Sequence, residues 1–418
     1  MSILLTRRAA GAAALAFSST FASARAATSP KPAKLVAIVS DTFGQWVSRF
    51  SKEWTQTTDV PVEVISQAYD QTYAKVVTAL AGGSSVDVVN VDSIWTSAFA
   101  KAGFIRPLTE QVKPFVDQYV PVAINQRKVG EEVYAIPGTN EGKFLYYNAE
   151  LLKKGGYDAP PKTWEDLAAI SLDLQAKGIV KHGIVWAWQQ AEGLICDYTL
   201  LTAGLKGSIQ DPDGTWRFQS GGGLDALRFM IAQLKNGIAD PASITLNDRQ
   251  VVDSFNGGSV AFLVGWSFVL GVANNPASSR VAGNIKIGLI PGFASAGTLS
   301  SSVTGGSGLG ITRVCKSPDW AWDLIRFLTD PEHQVAMQPI RTNLPVWKAL
   351  YNNSVIVQSF PALEQMAKQF EYAVWRPNLP NYAQVSSILQ RQIHAALNER
   401  SDADQALNGA LAQIKALG

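Results

Sequence analysis

The stretch VGEEVYAIPGTNEGKFLYYNAELLKKGGYDAPPKTWEDL, residues 129–167, decides how the whole chain is read. It runs strand, loop, strand, amphipathic helix, Pro-Pro turn, capped helix. The apolar VYAI at 133–136 is a short strand that stops at Pro137, whose ring nitrogen cannot donate to a ladder. Residues 150–154 belong to a short helix. Pro160 and Pro161 set the entry to the next one, and Thr163 with Asp166 has the spacing of a capping box. Two strands separated by a polar loop, with helices following, read as a hinge between two bodies.

Upstream of the hinge, LVAIV at 35–39 is a continuous apolar run, as in a strand buried on both faces. Residues 41–44 read as a turn. Trp46, Phe50 and Trp54 then repeat with a helical period, and 60–65 form the next strand. Strand, helix, strand implies a parallel sheet with crossover helices. VDVVNV at 86–91 is a third strand, with Asp92 at its carboxyl end. Downstream, 183–188, 260–264 and 285–290 read as strands, and a Gly/Ser/Thr-rich stretch then runs to Gly310. The tail is nearly all helical. Helices alone cannot make a sheet domain, so the tail is expected to pack back on an earlier lobe.

A chain of 418 residues is about twice the usual domain size, which predicts two lobes. The net charge of +2, with no long Lys/Arg run, gives no nucleic-acid footprint. Cys196 and Cys315 stand far apart, with neither a CxxC nor a neighbouring His, so there is no metal or redox motif; a disulfide between them stays open. Residues 1–26 read as an export signal. Arg7-Arg8 resembles a twin-arginine start, 9–21 is Ala-rich and apolar, and Ala24-Arg25-Ala26 fits a cleavage site. No cysteine follows the apolar segment, so the expectation is a soluble periplasmic protein that is not a lipoprotein.

Catalytic motifs do not fit. His182, His333 and His394 are isolated, with no HExxH. GGSGLG at 305–310 lacks the spacing of a nucleophile elbow, and GTNEGK at 138–143 is one residue short of a P-loop. No cofactor is therefore expected. A glycosidase pair among Asp41, Asp92 and Glu141 stays open, because all three acids lie at strand ends. The positive signal is placement. Open sheets bind ligands at the carboxyl ends of their strands, and there stand Asp41, Thr42, Asp92, Asn140, Glu141, Trp186, Trp188 and Trp266. Acids and amides accept or donate to hydroxyls, and indoles stack on C–H faces, which is the chemistry of carbohydrate recognition. Most of the 12 tryptophans are nevertheless expected in the core.

The quoted hinge run, VDVVNVDSIWTSAFAKAGFIRPL (86–108), FNGGSVAFLVGW (255–266), GGSGLGITRVCKSPDWAWDLIRFLTDPEHQ (305–334) and RPNLPNY (376–382) occur in an order that resembles the family 1 extracellular solute-binding proteins of ABC importers, of the maltose and trehalose type. The resemblance implies an α/β periplasmic-binding-protein fold with two lobes, discontinuous domains and three hinge crossings, near 138–142, 300–304 and 337–343. The N-lobe would comprise 34–139 with 303–338, and the C-lobe 140–302 with 339–418. Ligand contacts implied by position are Asp41 and Thr42 after the first strand, Asp92 after the third, Asn140 and Glu141 at the crossing, Trp186 and Trp188 as a C-lobe platform, Trp266 as a stacking indole, Gly305 and Gly306 as a close backbone approach, and Arg376. A salt bridge is the other reading of Arg376. The implied function is capture of a neutral di- or oligosaccharide and delivery to the transmembrane subunits of an ABC permease by a monomer. A polyol or glycerol phosphodiester is the alternative within the family, and a secreted carbohydrate-active enzyme the alternative outside it.

Overall fold

The computed structural model describes residues 29–337 and 342–417. The export-signal expectation for 1–26 lies outside them. Eleven strands position the site: β1 Leu35–Ser40, β2 Val62–Gln67, β3 Val88–Asp92, β4 Ile136–Pro137, β5 Glu141–Asn148, β6 His182–Val185, β7 Val260–Trp266, β8 Ile285–Gly288, β9 Ser302–Gly305, β10 Ser307–Ile311 and β11 Ala373–Val374. They form two sheets. One runs β2-β1-β3-β10-β4; the other runs β11-β9-β5-β7-β6, with β8 also paired to β5.

In the first sheet β1 lies parallel to both β2 and β3, as the strand-helix-strand pattern predicts, while β10 returns antiparallel to β3. The crossover helix Asp41–Thr58 begins at Asp41, so the residues expected as a turn at 41–44 form its first turn. Its first turn carries Asp41, an acid that suits the positive end of a helix. Phe43, Trp46, Phe50 and Trp54 are buried along one face of it. Later in the chain the helix Pro318–Thr329 packs on the same sheet, and the Trp54 indole donates to Asp323 at 2.9 Å. In the second sheet the helices Trp164–Ala176, Glu192–Gly204 and Gly222–Lys235 enclose a separate core. The terminal helices Tyr382–Leu397 and Ala403–Lys415 pack against that core, so the helical tail does return to an earlier body.

The last part of the glycine-rich stretch forms β9 and β10, both fully buried, with β9 paired to β5 in the second sheet and β10 to β3 in the first. The chain changes sheets at Gly306, where φ is +128°; a Cβ there would sit 2.5 Å from the Thr139 carbonyl oxygen, so only glycine fits. The earlier change of sheet spans Gly138–Asn140, between β4 and β5. The third expected crossing, 337–343, falls partly outside the described residues. Cys196 and Cys315 are both buried free thiols. Among the described residues no helix is long and apolar enough to cross a membrane.

Candidate functional site

At the end of β3, Asp92 is 5% exposed and accepts four hydrogen bonds. Its Oδ1 takes the Ser93 hydroxyl at 3.1 Å and the Ile94 amide at 3.3 Å; its Oδ2 takes the Tyr69 hydroxyl at 3.2 Å and the Ser307 hydroxyl at 3.4 Å. The carboxylate therefore ties β3 to β10 and to the helix Tyr69–Ala81. The Tyr69 ring stacks on Trp95, with centroids 5.6 Å apart. Asp41 is exposed on the first turn of its helix, and Thr42 follows in the same turn.

Strand register sorts the crossing residues by face. Lys143 pairs with Trp266, and Glu141 with Gly305. Directly paired residues, and residues two apart, share a face. Glu141, Lys143, Gly305 and Trp266 thus lie on one side of the second sheet. The contacts agree: a Cβ on Gly305 would be 3.1 Å from the Trp266 ring and 3.5 Å from Arg376 Nη2. Trp266 is half-buried, at the end of β7, and the Lys143 ammonium lies 5.4 Å from its ring centroid. Asn140 is buried, and among the described residues its side-chain amide makes no well-formed hydrogen bond. Glu141 accepts from the Asn343 amide at 2.8 Å.

Three cations stand around this face. Lys143 is wholly buried, 2.7 Å from Asp197 and 3.2 Å from Asp248. Burial works against its charge, but the two carboxylates outweigh it and hold the pKa above the usual lysine value. Burial pushes Asp197 up to about 7 despite Lys143, since its second oxygen has no hydrogen-bond partner. Arg376 Nη1 donates to Glu192 at 2.8 Å, and the same carboxylate accepts from the Tyr382 hydroxyl at 2.6 Å and the Ser386 hydroxyl at 2.5 Å. Arg127 is wholly buried beneath Gly306 and Gly308, and among the described residues two of its guanidinium nitrogens have no hydrogen-bond partner. Burial lowers its pKa to about 10, and nearby Asp92 and Glu141 oppose the shift.

Asp92, Asn140, Glu141, Trp266, Gly305, Gly306 and Arg376 are thus brought around one crossing. Trp186 and Trp188 are not. Expected as a cleft platform, both are 0% exposed and lie in the second core, stacked on each other with centroids 5.0 Å apart, with Trp164 5.5 Å from Trp186. Strand β6 ends at Val185, and the chain beyond it turns under the helical cover, where two indoles fill space between sheet and helices. The Trp188 N–H approaches Asp197 closely enough to favour its ionised form without meeting hydrogen-bond geometry.

Tyr69, Arg127, Lys143, Glu192, Asp197 and Asp248 escaped the sequence reading. Lys143 stood in the quoted hinge run but was weighed only as a P-loop lysine. Nothing in the sequence distinguishes a buried charge from a solvated one.

A cavity of about 220 Å³ lies at the crossing, lined by Ser93, Gln126, Thr304, Trp375, Arg376 and Asn378 among others. Arg376 belongs both to this cavity and to the group around Gly305 and Trp266. Strand β11 runs parallel to β9 with Val374 opposite Val303, so Trp375 continues beside Thr304, and Arg376 beside Gly305. Alternation then sends Thr304 and Trp375 to the side opposite Gly305, Arg376 and Trp266. The convergence of charge, indole and close-packed glycine marks the Trp266 side as the candidate site, and Arg376 joins it to the cavity.

The family model described as bacterial extracellular solute-binding protein matches residues 16–335. A probable ABC transporter-binding protein of Deinococcus radiodurans is 28% identical over 414 residues, covering 94% of this chain and 96% of that protein. The sn-glycerol-3-phosphate-binding periplasmic protein UgpB of Shigella flexneri serotype 5b is 23% identical over 378 residues, covering 82% of each chain. Among solved structures, maltose-bound MalE3 of T. maritima superposes with a TM-score of 0.85 at 26% identity, covering 92% of this chain and all of that one.

Proposed function

Since the chain belongs to the bacterial extracellular solute-binding protein family, we propose that it captures a carbohydrate between its lobes and hands it to the transmembrane subunits of an ABC permease. The observation that carries this is Trp266. Its half-buried indole lies against Gly305 at the sheet crossing, with the Lys143 ammonium 5.4 Å from its ring centroid. An indole face beside fixed acceptors suits the C–H face and hydroxyls of a sugar. The ligand contacts are Asp41, Thr42, Asp92, Asn140, Glu141, Trp266, Gly305, Gly306 and Arg376. The maltose in the MalE3 structure supports a sugar; the Shigella relative supports a glycerol phosphate as the second reading.

The lobes are 34–139 with 303–338, and 140–302 with 339–418, with the second boundary best drawn at Gly306, where the chain changes sheets. Closure is a hinge motion about these crossings. The protein acts as a periplasmic monomer, exported by its first 26 residues, and it binds without turnover, as its relatives are binding proteins.

The test is intrinsic tryptophan fluorescence with thermal shift, against mono-, di- and oligosaccharides, polyols and glycerol phosphates. A saturable response to one class, with the ligand recovered intact, supports the reading. No response across the panel, or consumption of a glycoside, overturns it.

A further inference from the structure

We propose that Asp248 is a ligand-binding carboxylate of the Trp266 face, anchored from beneath by Lys143, and that it accepts hydrogen bonds from hydroxyls of the sugar or polyol lying against the indole. The proposal rests on the carbohydrate reading above and adds the group that selects for hydroxyl donors beside the indole. Lys143 joins the parts. It pairs with Trp266 in the register of β5 and β7, and its ammonium is 5.4 Å from the ring centroid. The same ammonium lies 2.7 Å from Asp197 and 3.2 Å from Asp248. The Lys143 and Asp197 side chains are wholly covered, whereas that of Asp248 is 30% exposed. Of these three charges, Asp248 is the one a solute can reach. Lys143 already has a covered counter-ion in Asp197, so its own burial does not require a second, half-open carboxylate.

Asp248 is fixed in place at both oxygens. Lys143 holds Oδ1, and Oδ2 lies over the first turn of the helix Glu192–Gly204, where a Cβ on Gly193 would stand 2.6 Å from it. A helix start favours an anion, and a glycine there leaves room for it. The residue before Gly193 is Glu192, which pairs with Arg376 at 2.8 Å, and Arg376 in turn reaches Gly305 beside the Trp266 ring. Asp248 and Arg376 therefore flank one helix start and one indole. Arg376 Nε has no hydrogen-bond partner among the described residues. The face thus offers a charged acceptor on one side and a guanidinium with a donor to spare on the other. Hydroxyls both donate and accept, so a sugar can satisfy the two together. The field of Asp248 also crosses to the other lobe. Burial first, then the charges of Asp248 and Asp41, raise the carboxyl of Asp70, at the start of the helix Tyr69–Ala81, above its usual range.

The test titrates glucose, tagatose, maltose, maltotriose, ribitol and mannitol into the wild type, Asp248→Asn and Lys143→Met, and repeats the tightest-binding probe with its singly deoxygenated analogues. Asp248→Asn keeps the shape but not the charge, and should bind that probe about tenfold to 100-fold more weakly. One deoxygenated analogue should lose about tenfold against the wild type and lose nothing further in Asp248→Asn, because the missing hydroxyl and the missing charge belong to one contact. Asp248→Ser supplies the same comparison if the Asn variant does not fold. Lys143→Met leaves the carboxylate present but unanchored, and should shrink the penalty for that same analogue. A purely structural role would not produce this, since the ratio of two affinities in one folded protein does not depend on its stability. Equal affinity in Asp248→Asn and the wild type, or deoxygenation penalties that are the same in both at every position, overturns the proposal and leaves the carbohydrate reading standing. An unchanged penalty in Lys143→Met overturns the anchoring by Lys143. A wild type that binds none of the probes overturns the carbohydrate reading and the proposal with it.

Discussion

At the scale of single residues the site is defined by what each side chain is already bonded to. Trp266 contributes a face rather than a hydrogen bond, so Trp266→Ala should weaken ligand binding by about 2–4 kcal/mol, read by calorimetry, with little loss of stability in the unliganded protein. Unchanged affinity would remove Trp266 from the site. Asp197 allows a pH prediction. Burial raises its pKa to about 7, against about 3.9 in an unfolded chain. The folded protein therefore holds a proton that the unfolded chain has released, and the associated stability is present below about pH 4 and lost as pH rises to about 7. The raised pKa of Lys143 keeps its charge constant over that window. The melting temperature should fall between pH 5 and pH 8, and Asp197→Asn should flatten the fall; an equal slope in both proteins would place the titration elsewhere. Asp92 teaches a different lesson. Its strand-end position marks it for ligand contact, yet its four hydrogen bonds are all internal.

Elements that depend on local chemistry were legible in the sequence. The capping box forms as its spacing requires: Thr163 accepts from the Asp166 amide at 3.0 Å, and Asp166 accepts from the Thr163 amide at 3.2 Å. Removing the hydroxyl with Thr163→Ala should cost about 1 kcal/mol in denaturant unfolding, and no change would mean that tertiary packing alone holds the helix Trp164–Ala176. Strands β9 and β10 were not legible. Pattern reading relies on side chains of alternating polarity, and SVTG and SGLGI offer almost none. Their glycines serve neighbours instead: Gly305 admits the Trp266 ring, and Gly308 would meet the Ile136 carbonyl at 2.3 Å if it carried a Cβ. The helix Asp41–Thr58 was missed by one turn because Asp41-Thr42-Phe43-Gly44 reads as a turn, whereas at a helix start the acid is favourable.

At the scale of the molecule the two sheets are joined by paired strands rather than a loose linker. Across the crossing, β9 is paired to β5 of the second sheet while its continuation β10 is paired to β3 of the first. The Gln126 amide also donates to Thr304 at 2.5 Å, and the Asn378 amide to the Lys128 carbonyl at 3.1 Å. Such a joint transmits lobe motion without unfolding either sheet. A ligand held between the lobes stabilises the folded state by mass action, and at 100 times its dissociation constant should add about 2.7 kcal/mol to unfolding. A shift in melting temperature that saturates independently of ligand concentration would contradict binding to the folded state alone.

The sequence by itself determined the two-body architecture, the parallel opening of the first sheet, the change of sheet within 129–167 and the family, because these follow from the order of apolar runs, prolines and caps along the chain. Only the tertiary structure decided which indoles face the site. Trp186, Trp188 and Trp266 all lie at or just past strand ends, but two are covered by helices from elsewhere and one is not. The same holds for the charges. Glu192, Arg376 and Lys143 come from segments up to 233 residues apart, and whether a charge is buried, paired or open depends on which distant segment folds against it, which no local pattern encodes.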